Sequence, residues 1–193
     1  EVKENNIAAW LTPALNIHRS PLCGRNFEYY SEDPLLAGVL AGAMVKGIQS
    51  QGVAATVKHF ALNNKETDRK HSDSRVSERA AREIYLKAFE YVIKGAKPWA
   101  VMSSYNIING CYASENKELL EDILRDEWGF DGMVTTDWWT LGEHYKEVKA
   151  GNDMKMACGD PKRLKEAMDQ GLLTRQDLEH CAERVLNLIL KLD

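Results

Sequence analysis

Apolar and polar positions along the chain follow two different periods, and together they predict alternating strands and helices. Short runs of apolar and β-branched residues predict buried strands. Longer segments with apolar residues three and four positions apart predict amphipathic helices. The predicted strands cover residues 8–15, 53–60, 99–105, 133–136 and 153–157.

Helix ends are marked by residues that suit a helix terminus. Ser, Thr and Asp favour the N-cap, and Gly favours the position after the last turn. Pro34 and Pro161 each follow an Asp, which is typical of a first helical turn. A short helix is predicted over 141–149. The predicted N-caps are Asp33, Ser77, Ser114, Asp160 and Thr174, and the predicted stops are Gly52, Gly95 with Pro98, Gly129 and Gly171.

Polar residues follow three of the predicted strands at the point where each strand ends. They are Lys58-His59, Ser103-Ser104-Tyr105 and Thr136-Asp137. Strands that alternate with helices form right-handed βαβ units and a parallel sheet. Polar residues at the carboxyl edge of such a sheet are typical of a barrel, and no glycine-rich fingerprint indicates a dinucleotide site. We therefore predict an α/β fold, a (β/α)8 TIM-like barrel.

Only about five βα units are present in the sequence, whereas a closed barrel of this type has about eight. Five strands alone leave sheet edges unpaired and an apolar interior exposed. We therefore expect that the chain does not stand alone and that the remaining strands lie upstream or on another chain. Because the first residue is Glu1 rather than Met, we also expect a processed or excised piece.

Composition and charge exclude some classes of protein. The 193 residues predict one domain and are 44% hydrophobic and 28% charged, as in ordinary globular chains. The net charge of -4 argues against nucleic acid and anionic membranes as partners. No apolar run is long enough to span a membrane. The four cysteines have no zinc-ligand spacing, so we expect mostly reduced and buried thiols, with one disulfide left open.

Asp137 has two interpretations in the sequence, as a catalytic residue and as a helix N-cap. It ends a short apolar strand and precedes two indoles, Trp138 and Trp139. A carboxylate at the carboxyl end of a barrel strand is typical of a catalytic residue, and aromatic neighbours suit the apolar face of a sugar. Asp is equally a favoured N-cap, so Asp137 can instead begin the next helix. The residues of this stretch alone leave both interpretations open.

Six ordered segments cover nearly the whole chain and carry its most specific motifs. They are GRNFEYYSEDP (24–34), KHFALNNKETDR (58–69), SERAAREIYLKAFE (77–90), MSSYNIINGCYASEN (102–116), LRDEWGFDGMVTTDWW (124–139) and AGNDMKM (150–156). Each is weak alone, but in this order they resemble the motifs of glycoside hydrolase family 3. The resemblance implies that residues 1–193 form part of a TIM-like catalytic barrel, with an α/β sandwich domain absent from this chain.

The resemblance also implies a reaction, a retaining exo-acting β-glycosidase and most simply a β-glucosidase. Asp137 matches the catalytic nucleophile, which attacks the anomeric carbon and forms a covalent glycosyl-enzyme. The substrate is then a β-glucoside or oligosaccharide, and neither a metal nor an organic cofactor is implied. The remainder of the same enzyme, as another segment or chain, is the expected protein partner.

Six further residues match positions that hold the sugar in the innermost subsite of this family. They are Arg25, Lys58, His59, Arg69, Tyr105 and Trp138. Each also has a structural interpretation: Arg25 can pair with Glu28 or Glu32, His59 can be a core histidine, and Arg69 can belong to a solvated charge cluster. Tyr105 and Trp138 can be core aromatics. Asp153 lies in a matched motif, and we interpret it as structural.

Two departures from the family pattern leave alternatives open. In the glucosidase-like branch the acid/base is a glutamate on the second domain, and the N-acetylglucosaminidase branch has a His-Asp pair in the loop after Lys58-His59. His71-Ser72-Asp73 resembles part of that pair without its glycines, so we favour the glucosidase-like branch. A sugar-binding aspartate of the family has no match here and is expected upstream of Glu1. A β-xylosidase and a non-catalytic carbohydrate-binding fragment or subunit remain alternatives.

Overall fold

The computed structural model describes residues 1–193 as an α/β chain built on a parallel sheet. The strands are β1 (Ala9–Trp10), β2 (Ala54–Phe60), β3 (Asp73–Ser74), β4 (Ala100–Ser103), β5 (Ile107–Ile108), β6 (Cys111–Tyr112) and β7 (Met133–Thr136). The main sheet has the order β1-β2-β4-β7, and all its neighbouring strands are parallel. Strands that follow one another in chain order with parallel pairing are the arrangement of a barrel wall.

Two predicted strands are much shorter in the structure. Strand 8–15 is reduced to β1 and a single bridge between Ala14 and Lys58, because Pro13 has no N–H to donate to a ladder. Segment 153–157 contributes one parallel bridge, from Met154 to Thr135. There the side chain of Asp153 accepts the backbone N–H of the neighbouring strand, so the regular ladder does not extend.

A second, three-stranded sheet lies outside the strands and helices that the sequence predicts. Its order is β3-β5-β6, with β3 parallel to β5 and β5 antiparallel to β6. Each of these strands has only two residues, which is too short to show a period in the sequence. This small sheet joins the segment after β2 to the segment after β4.

Helices pack against both faces of the main sheet, because successive strand residues such as Ala54 and Ala55 belong to different apolar clusters. The helices are α1 (Pro34–Gln49), α2 (Glu78–Ala80), α3 (Lys87–Ala96), α4 (His144–Lys149), α5 (Pro161–Asp169) and α6 (Arg175–Leu192). Two segments, Ala81–Tyr85 and Glu118–Glu127, are wound as wider π-type helix. The predicted helix over 77–95 is therefore one helical segment whose middle, Ala81–Tyr85, is underwound into π-type turns, which periodicity alone does not distinguish.

Four of the five predicted N-caps make the expected hydrogen bonds. Asp33 and Asp160 accept from backbone N–H groups of the first turn, and Ser77 accepts from Ala80. Thr174 and Asp177 form a capping box at the start of α6. These side chains satisfy N–H groups that have no partner inside the helix.

The prediction that Ser114 caps a helix is wrong. Ser114 is buried in a short 3-10 turn, and its carbonyl oxygen accepts a hydrogen bond from Asn152 at 2.5 Å. The side chain of Asn116 instead accepts the N–H of Leu119 at 3.0 Å. Asn is as good an N-cap as Ser, so local preference does not choose between two candidates two residues apart.

The main hydrophobic core lies between the sheet and helices α1 and α3. It is a cluster of 29 buried residues, in which Phe60 packs edge-on against both Phe89 and Trp128. All four cysteines are free, and only Cys23 and Cys181 are buried, so the expectation of mostly buried thiols holds for two of them. No helix combines the length and apolar character that crossing a membrane requires.

Candidate active site

The carboxyl ends of β2, β4 and β7 meet at one edge of the main sheet and form a cleft of about 430 Å³. All seven site residues predicted from the sequence line this cleft: Arg25, Lys58, His59, Arg69, Tyr105, Asp137 and Trp138. Four further residues complete the lining: Leu11, Lys70, Met102 and Trp139. Residues that are up to 113 positions apart in sequence, from Arg25 to Trp138, thus share one surface.

Asp137 lies directly after β7 and does not cap a helix. The next helix, α4, begins seven residues later with Glu143 at its N-cap. Backbone bonds from Thr136 to Met154 and from Trp139 to Met156 hold the segment on both sides of Asp137. The N-cap interpretation of Asp137 is therefore wrong, and its carboxylate points into the cleft with 9% of the residue exposed.

The electrostatic environment of Asp137 combines burial with nearby positive charge. Burial raises the pKa of Asp137 above its ordinary value, because removal from water disfavours the charged form. The hydroxyl of Tyr105 and the positive charges of the cleft act in the opposite direction and lower that pKa. In order of effect these cations are Arg69, Arg25 and Lys58. The cations thus offset part of the cost of keeping a buried carboxylate ionised.

His59 is buried beside the carboxylate and is held by Asn16. Asn16 Nδ2 donates to the carbonyl oxygen of His59 at 2.8 Å, and Asn16 Oδ1 accepts the backbone N–H of His59 at 2.9 Å. The ring Nδ1 lies 3.2 Å from the same Oδ1, and Nε2 lies 3.9 Å from Oδ2 of Asp137. Burial, reinforced by the cations of the cleft, lowers the pKa of His59 well below its ordinary value, so the imidazole is neutral.

Two carboxylates that we had not placed in the site connect its three cations. Glu28 contacts Arg25 Nε and lies 3.4 Å from Lys58 Nζ. Glu66 Oε2 lies 2.8 Å from Arg69 Nη1, and its Oε1 lies 3.8 Å from Arg25 Nη1. Positive and negative groups therefore alternate along one side of the cleft. Arg25 pairs with Glu28, as its structural interpretation expected, and lines the cleft as well.

Tyr105 lines the cleft next to its cations. Its hydroxyl donates to the carbonyl oxygen of Trp138 at 2.5 Å. The guanidinium of Arg69 lies 4.5 Å from the centre of the Tyr105 ring, and Lys70 Nζ lies 4.8 Å from it. Lys70 also donates to the carbonyl oxygen of Trp139 at 2.9 Å. Cation–π contacts and these hydrogen bonds hold the Tyr105 ring against the cations.

Signals for the missed residues were present in the sequence but are weak. Glu28 follows Arg25 by three positions and Glu66 precedes Arg69 by three, and such charge pairs are common on protein surfaces. From the sequence, Glu28 is expected only as a partner of Arg25. The side chain of Asn16 had no signal at all, because its partner lies 43 positions away on β2.

The His71-Ser72-Asp73 segment lies outside the cleft. His71 is exposed and its Nδ1 lies 2.8 Å from Asp68, whereas Asp73 pairs with Arg75. Asp137 is thus the one carboxylate among the residues that line the cleft, whereas Glu28 and Glu66 pair with its cations from behind the lining. No group of three or more His, Cys, Asp and Glu side chains is arranged to hold a metal ion.

Comparison with known protein families identifies the family to which the chain belongs. The model for the glycosyl hydrolase family 3 N terminal domain matches residues 1–188. The chain belongs to glycosyl hydrolase family 3. All six segments that resembled this family lie within the matched residues, and the cleft described above is formed by a family 3 N-terminal domain.

Several family 3 relatives are similar over nearly all of the chain. Beta-glucosidase A of Butyrivibrio fibrisolvens is 66% identical over 93% of this chain and 22% of its own length. Thermostable beta-glucosidase B of Acetivibrio thermocellus is 46% identical over 98% of this chain and 25% of its own length. The chain thus spans about a quarter of the length of these relatives.

Solved structures of the family superpose closely on the chain. Beta-glucosidase 3B from Thermotoga neapolitana, in complex with α-D-glucose, has a TM-score of 0.95 at 48% identity over 98% of this chain and 28% of that one. Beta-glucosidase from Kluyveromyces marxianus, in complex with glucose, has a TM-score of 0.97 at 41% identity. The match covers 100% of this chain and 23% of that one. This likeness confirms the α/β, TIM-like barrel class that the sequence predicted.

Proposed function

We propose that the protein containing this chain is a retaining, exo-acting β-glucosidase that removes terminal non-reducing β-linked glucose. The observation that carries the proposal is the buried carboxylate of Asp137, which lines the cleft at the end of a barrel strand and lies among three cations. Family membership and relatives named beta-glucosidase at up to 66% identity support the same reaction.

The proposed reaction has two steps. In the first, the ionised carboxylate of Asp137 forms a bond to the anomeric carbon while the glycosidic carbon–oxygen bond breaks and the leaving oxygen takes a proton from a general acid. In the second, water attacks the same carbon, its proton passes to the acid/base, and the ester bond to Asp137 breaks. Burial of Asp137 keeps bulk water away from the nucleophile, and the cations of the cleft keep it ionised.

The walls of the cleft supply groups that can hold a sugar. Arg25, Lys58 and Arg69 are donors for hydroxyl oxygens, and His59 adds a neutral imidazole. Tyr105 and Trp138 provide aromatic surface for the apolar face of a pyranose ring. Hydrogen bonds that tighten as charge develops on the ring contribute to catalysis more than uniform binding does.

We assign the acid/base to a part of the protein outside residues 1–193. A retaining glycosidase needs its second carboxyl group about 5–5.5 Å from the nucleophile. No other carboxyl group lines the cleft, and Glu28 and Glu66 are paired with its arginine and lysine side chains. The resemblance to the family implies that this group lies on the second domain, and a chain that covers about a quarter of its relatives' length is consistent with that.

The test uses the intact natural protein that contains this sequence. It is incubated with a 2-deoxy-2-fluoro-β-glucoside that carries a good leaving group, which traps the glycosyl-enzyme, and the labelled peptide is identified by mass spectrometry. We expect the label on Asp137, and we expect Asp137→Asn to lower kcat by about 10³-fold or more.

The matched control is Asp131→Asn, an exposed aspartate six positions before the nucleophile, which is expected to keep wild-type turnover. A label on another residue, or near wild-type turnover of Asp137→Asn, contradicts the assignment. An intact protein that binds glucosides but never hydrolyses them supports the non-catalytic alternative.

A second substrate class is favoured by one specific comparison. Relatives from Bifidobacterium longum and Bifidobacterium breve, 46% and 44% identical, are named exo-alpha-(1->6)-L-arabinopyranosidase. Their sugar is a pentopyranose, and β-xylosides likewise lack the hydroxymethyl group of glucose. Comparing kcat/KM for aryl β-glucoside, β-xyloside and α-L-arabinopyranoside therefore separates these candidates. A preference for a pentopyranoside by tenfold or more replaces glucose as the proposed sugar.

A further inference from the structure

The contacts between Asn16 and the backbone of His59 determine the orientation of the Asn16 amide. A backbone N–H only donates, so the amide atom 2.9 Å from His59 N is the oxygen. A backbone carbonyl only accepts, so the amide atom 2.8 Å from His59 O is the nitrogen. Both residues are buried. The usual uncertainty between the two ends of an Asn amide is therefore removed.

This orientation also determines which nitrogen of His59 carries the hydrogen. Asn16 Oδ1 lies 3.2 Å from His59 Nδ1 and, as an oxygen, only accepts. The hydrogen of the neutral imidazole therefore belongs on Nδ1, and Nε2 keeps a free lone pair. The three contacts come from a residue on the segment after β1 and act on a residue near the end of β2.

The free lone pair faces a second acceptor. His59 Nε2 lies 3.9 Å from Oδ2 of Asp137, and two acceptors cannot hydrogen-bond to each other. A hydroxyl group placed at this point of the cleft can donate to Nε2 and accept from Lys58 or Arg69, which also line the cleft. Such a hydroxyl is then recognised in one direction only, as a donor toward the imidazole.

We propose that Asn16 is a positioning residue that locks His59 in the Nδ1–H tautomer, so that Nε2 accepts a hydrogen bond from a hydroxyl group of the bound sugar. The tautomer follows from this chain alone, and the identity of the hydroxyl donor rests on the proposed glycosidase function. A site that hydrogen-bonds a ligand hydroxyl through a buried acceptor discriminates strongly against a ligand without that hydroxyl.

The tautomer is measured directly by side-chain ¹⁵N NMR of the intact protein with histidine-selective labelling. The His59 signals are assigned by their loss in His59→Gln. At neutral pH we expect a protonated Nδ1 and an unprotonated Nε2 in the wild type, and loss of this preference in Asn16→Ala. A wild type with hydrogen on Nε2, or an Asn16→Ala variant with an unchanged tautomer, overturns the proposal.

Two variants keep the test informative. Asn152→Ala removes another buried amide, which bonds to Ser103 and Ser114 but not to His59, and is expected to leave the His59 tautomer unchanged. Asn16→Asp keeps the acceptor and adds a negative charge beside Nδ1–H, so it is expected to raise the pKa of His59. An unchanged pKa of His59 in Asn16→Asp contradicts the proposal, including the case in which Asn16→Ala does not fold.

Hydrolysis of an aryl β-glucoside provides a second test of the role of Asn16. Loss of the lock leaves a buried acceptor or donor unsatisfied, and we expect Asn16→Ala to lower kcat/KM for an aryl β-glucoside by about tenfold or more. The link to sugar recognition is overturned if a folded Asn16→Ala variant loses the Nδ1–H preference of His59 but keeps the wild-type kcat/KM. If the wild type does not hydrolyse glycosides at all, the proposed function fails while the tautomer result stands by itself.

Discussion

The hydroxyl of Tyr105 donates to the carbonyl oxygen of Trp138 across 2.5 Å, which ties the segment after β4 to the residue that follows Asp137. A hydroxyl has one hydrogen, so Trp138 O and the carboxylate of Asp137 compete for it. Burial, aided by the negative charge of Asp137, raises the pKa of Tyr105, so the hydroxyl keeps its hydrogen at neutral pH. Tyr105 can therefore transfer its hydrogen bond to Asp137 without changing its charge.

Tyr105→Phe in the intact protein tests this relationship. The variant keeps the ring and its contacts with Arg69 and Lys70 but loses the donor, so we expect kcat/KM for an aryl β-glucoside to fall about tenfold, equivalent to ~1.4 kcal/mol. The control is Tyr91→Phe on the exposed face of α3, with wild-type kinetics expected. Equal kinetics for Tyr105→Phe and the wild type show that the hydroxyl has no role.

Arg69→Gln is expected to shift the acid side of the pH–rate profile. The guanidinium of Arg69 favours the ionised form of Asp137, so its removal raises the pKa of that carboxyl further. A nucleophile must be ionised, and the acid limb of log kcat/KM against pH therefore moves to higher pH. Arg79→Gln, which removes an exposed arginine of α2, serves as the control for net charge. An acid limb at the wild-type pH in Arg69→Gln contradicts this electrostatic role.

Asp137→Asn is expected to stabilise the fold while it removes the proposed nucleophile. Burial raises the folded-state pKa of Asp137 above its unfolded value, so the folded protein binds the proton more tightly. The contribution of Asp137 to stability is thus favourable below the unfolded pKa and is lost as pH rises through the folded pKa. Thermal unfolding of the intact protein should show a higher Tm for Asp137→Asn at pH 7 and no difference near pH 3. A Tm of Asp137→Asn below that of the wild type at pH 7 contradicts the prediction that the ionised carboxylate destabilises the fold.

His71→Ala separates the glucosidase and N-acetylglucosaminidase branches. His71 is exposed, pairs with Asp68 and does not line the cleft, so we expect kcat/KM to stay within about twofold of the wild type. The comparison variant is His59→Ala, for which a large loss is expected because His59 lies beside Asp137. Abolished turnover in His71→Ala assigns an acid/base role to this histidine and supports the N-acetylglucosaminidase branch.

Asp153 should matter for stability far more than an exposed aspartate. Its fully buried side chain lies 2.8 Å from Arg125 and 3.2 Å from Arg184, and it also accepts the N–H of Val134. Removing one partner of a buried ion pair leaves the other charges uncompensated, so Asp153→Ala is expected to cost about 3–5 kcal/mol. Asp169→Ala removes an exposed partner of Lys165 and should cost less than about 1 kcal/mol. Denaturant unfolding of both variants measures the change in the free energy of unfolding. Equal losses in Asp153→Ala and Asp169→Ala contradict this account.

Most of the secondary structure was predictable because local chemistry agreed with the fold. The helix starts at Asp33, Ser77, Asp160 and Thr174 have side chains that satisfy N–H groups of their own helices, so no distant contact is needed. The strand β7 was evident from its apolar and β-branched run. Ser114 was assigned wrongly because Asn116, two residues later, is an equally good N-cap and its side chain accepts the N–H of Leu119.

The site was predictable in its members but not in its arrangement. The seven cleft residues came from strand ends and family motifs, and the structure places them on one surface. Glu28 and Glu66 were missed as parts of the site because their partners include residues on other segments, such as Lys58. The contact of Asn16 with His59 joins two segments whose pairing in space no local pattern reports.

By itself, the sequence determined the alternation of strands and helices, the helix caps and the residues with chemistry at the strand ends, because periodicity and capping are local properties of a chain. Tertiary structure alone decided the two-residue strands of the small sheet, the burial of Asp137 and the alternating charges beside it. It also decided the tautomer of His59, through a side chain 43 positions away. Hydrogen bonds and desolvation depend on distance in space, and that distance is set only when the parallel strands bring remote segments to one edge.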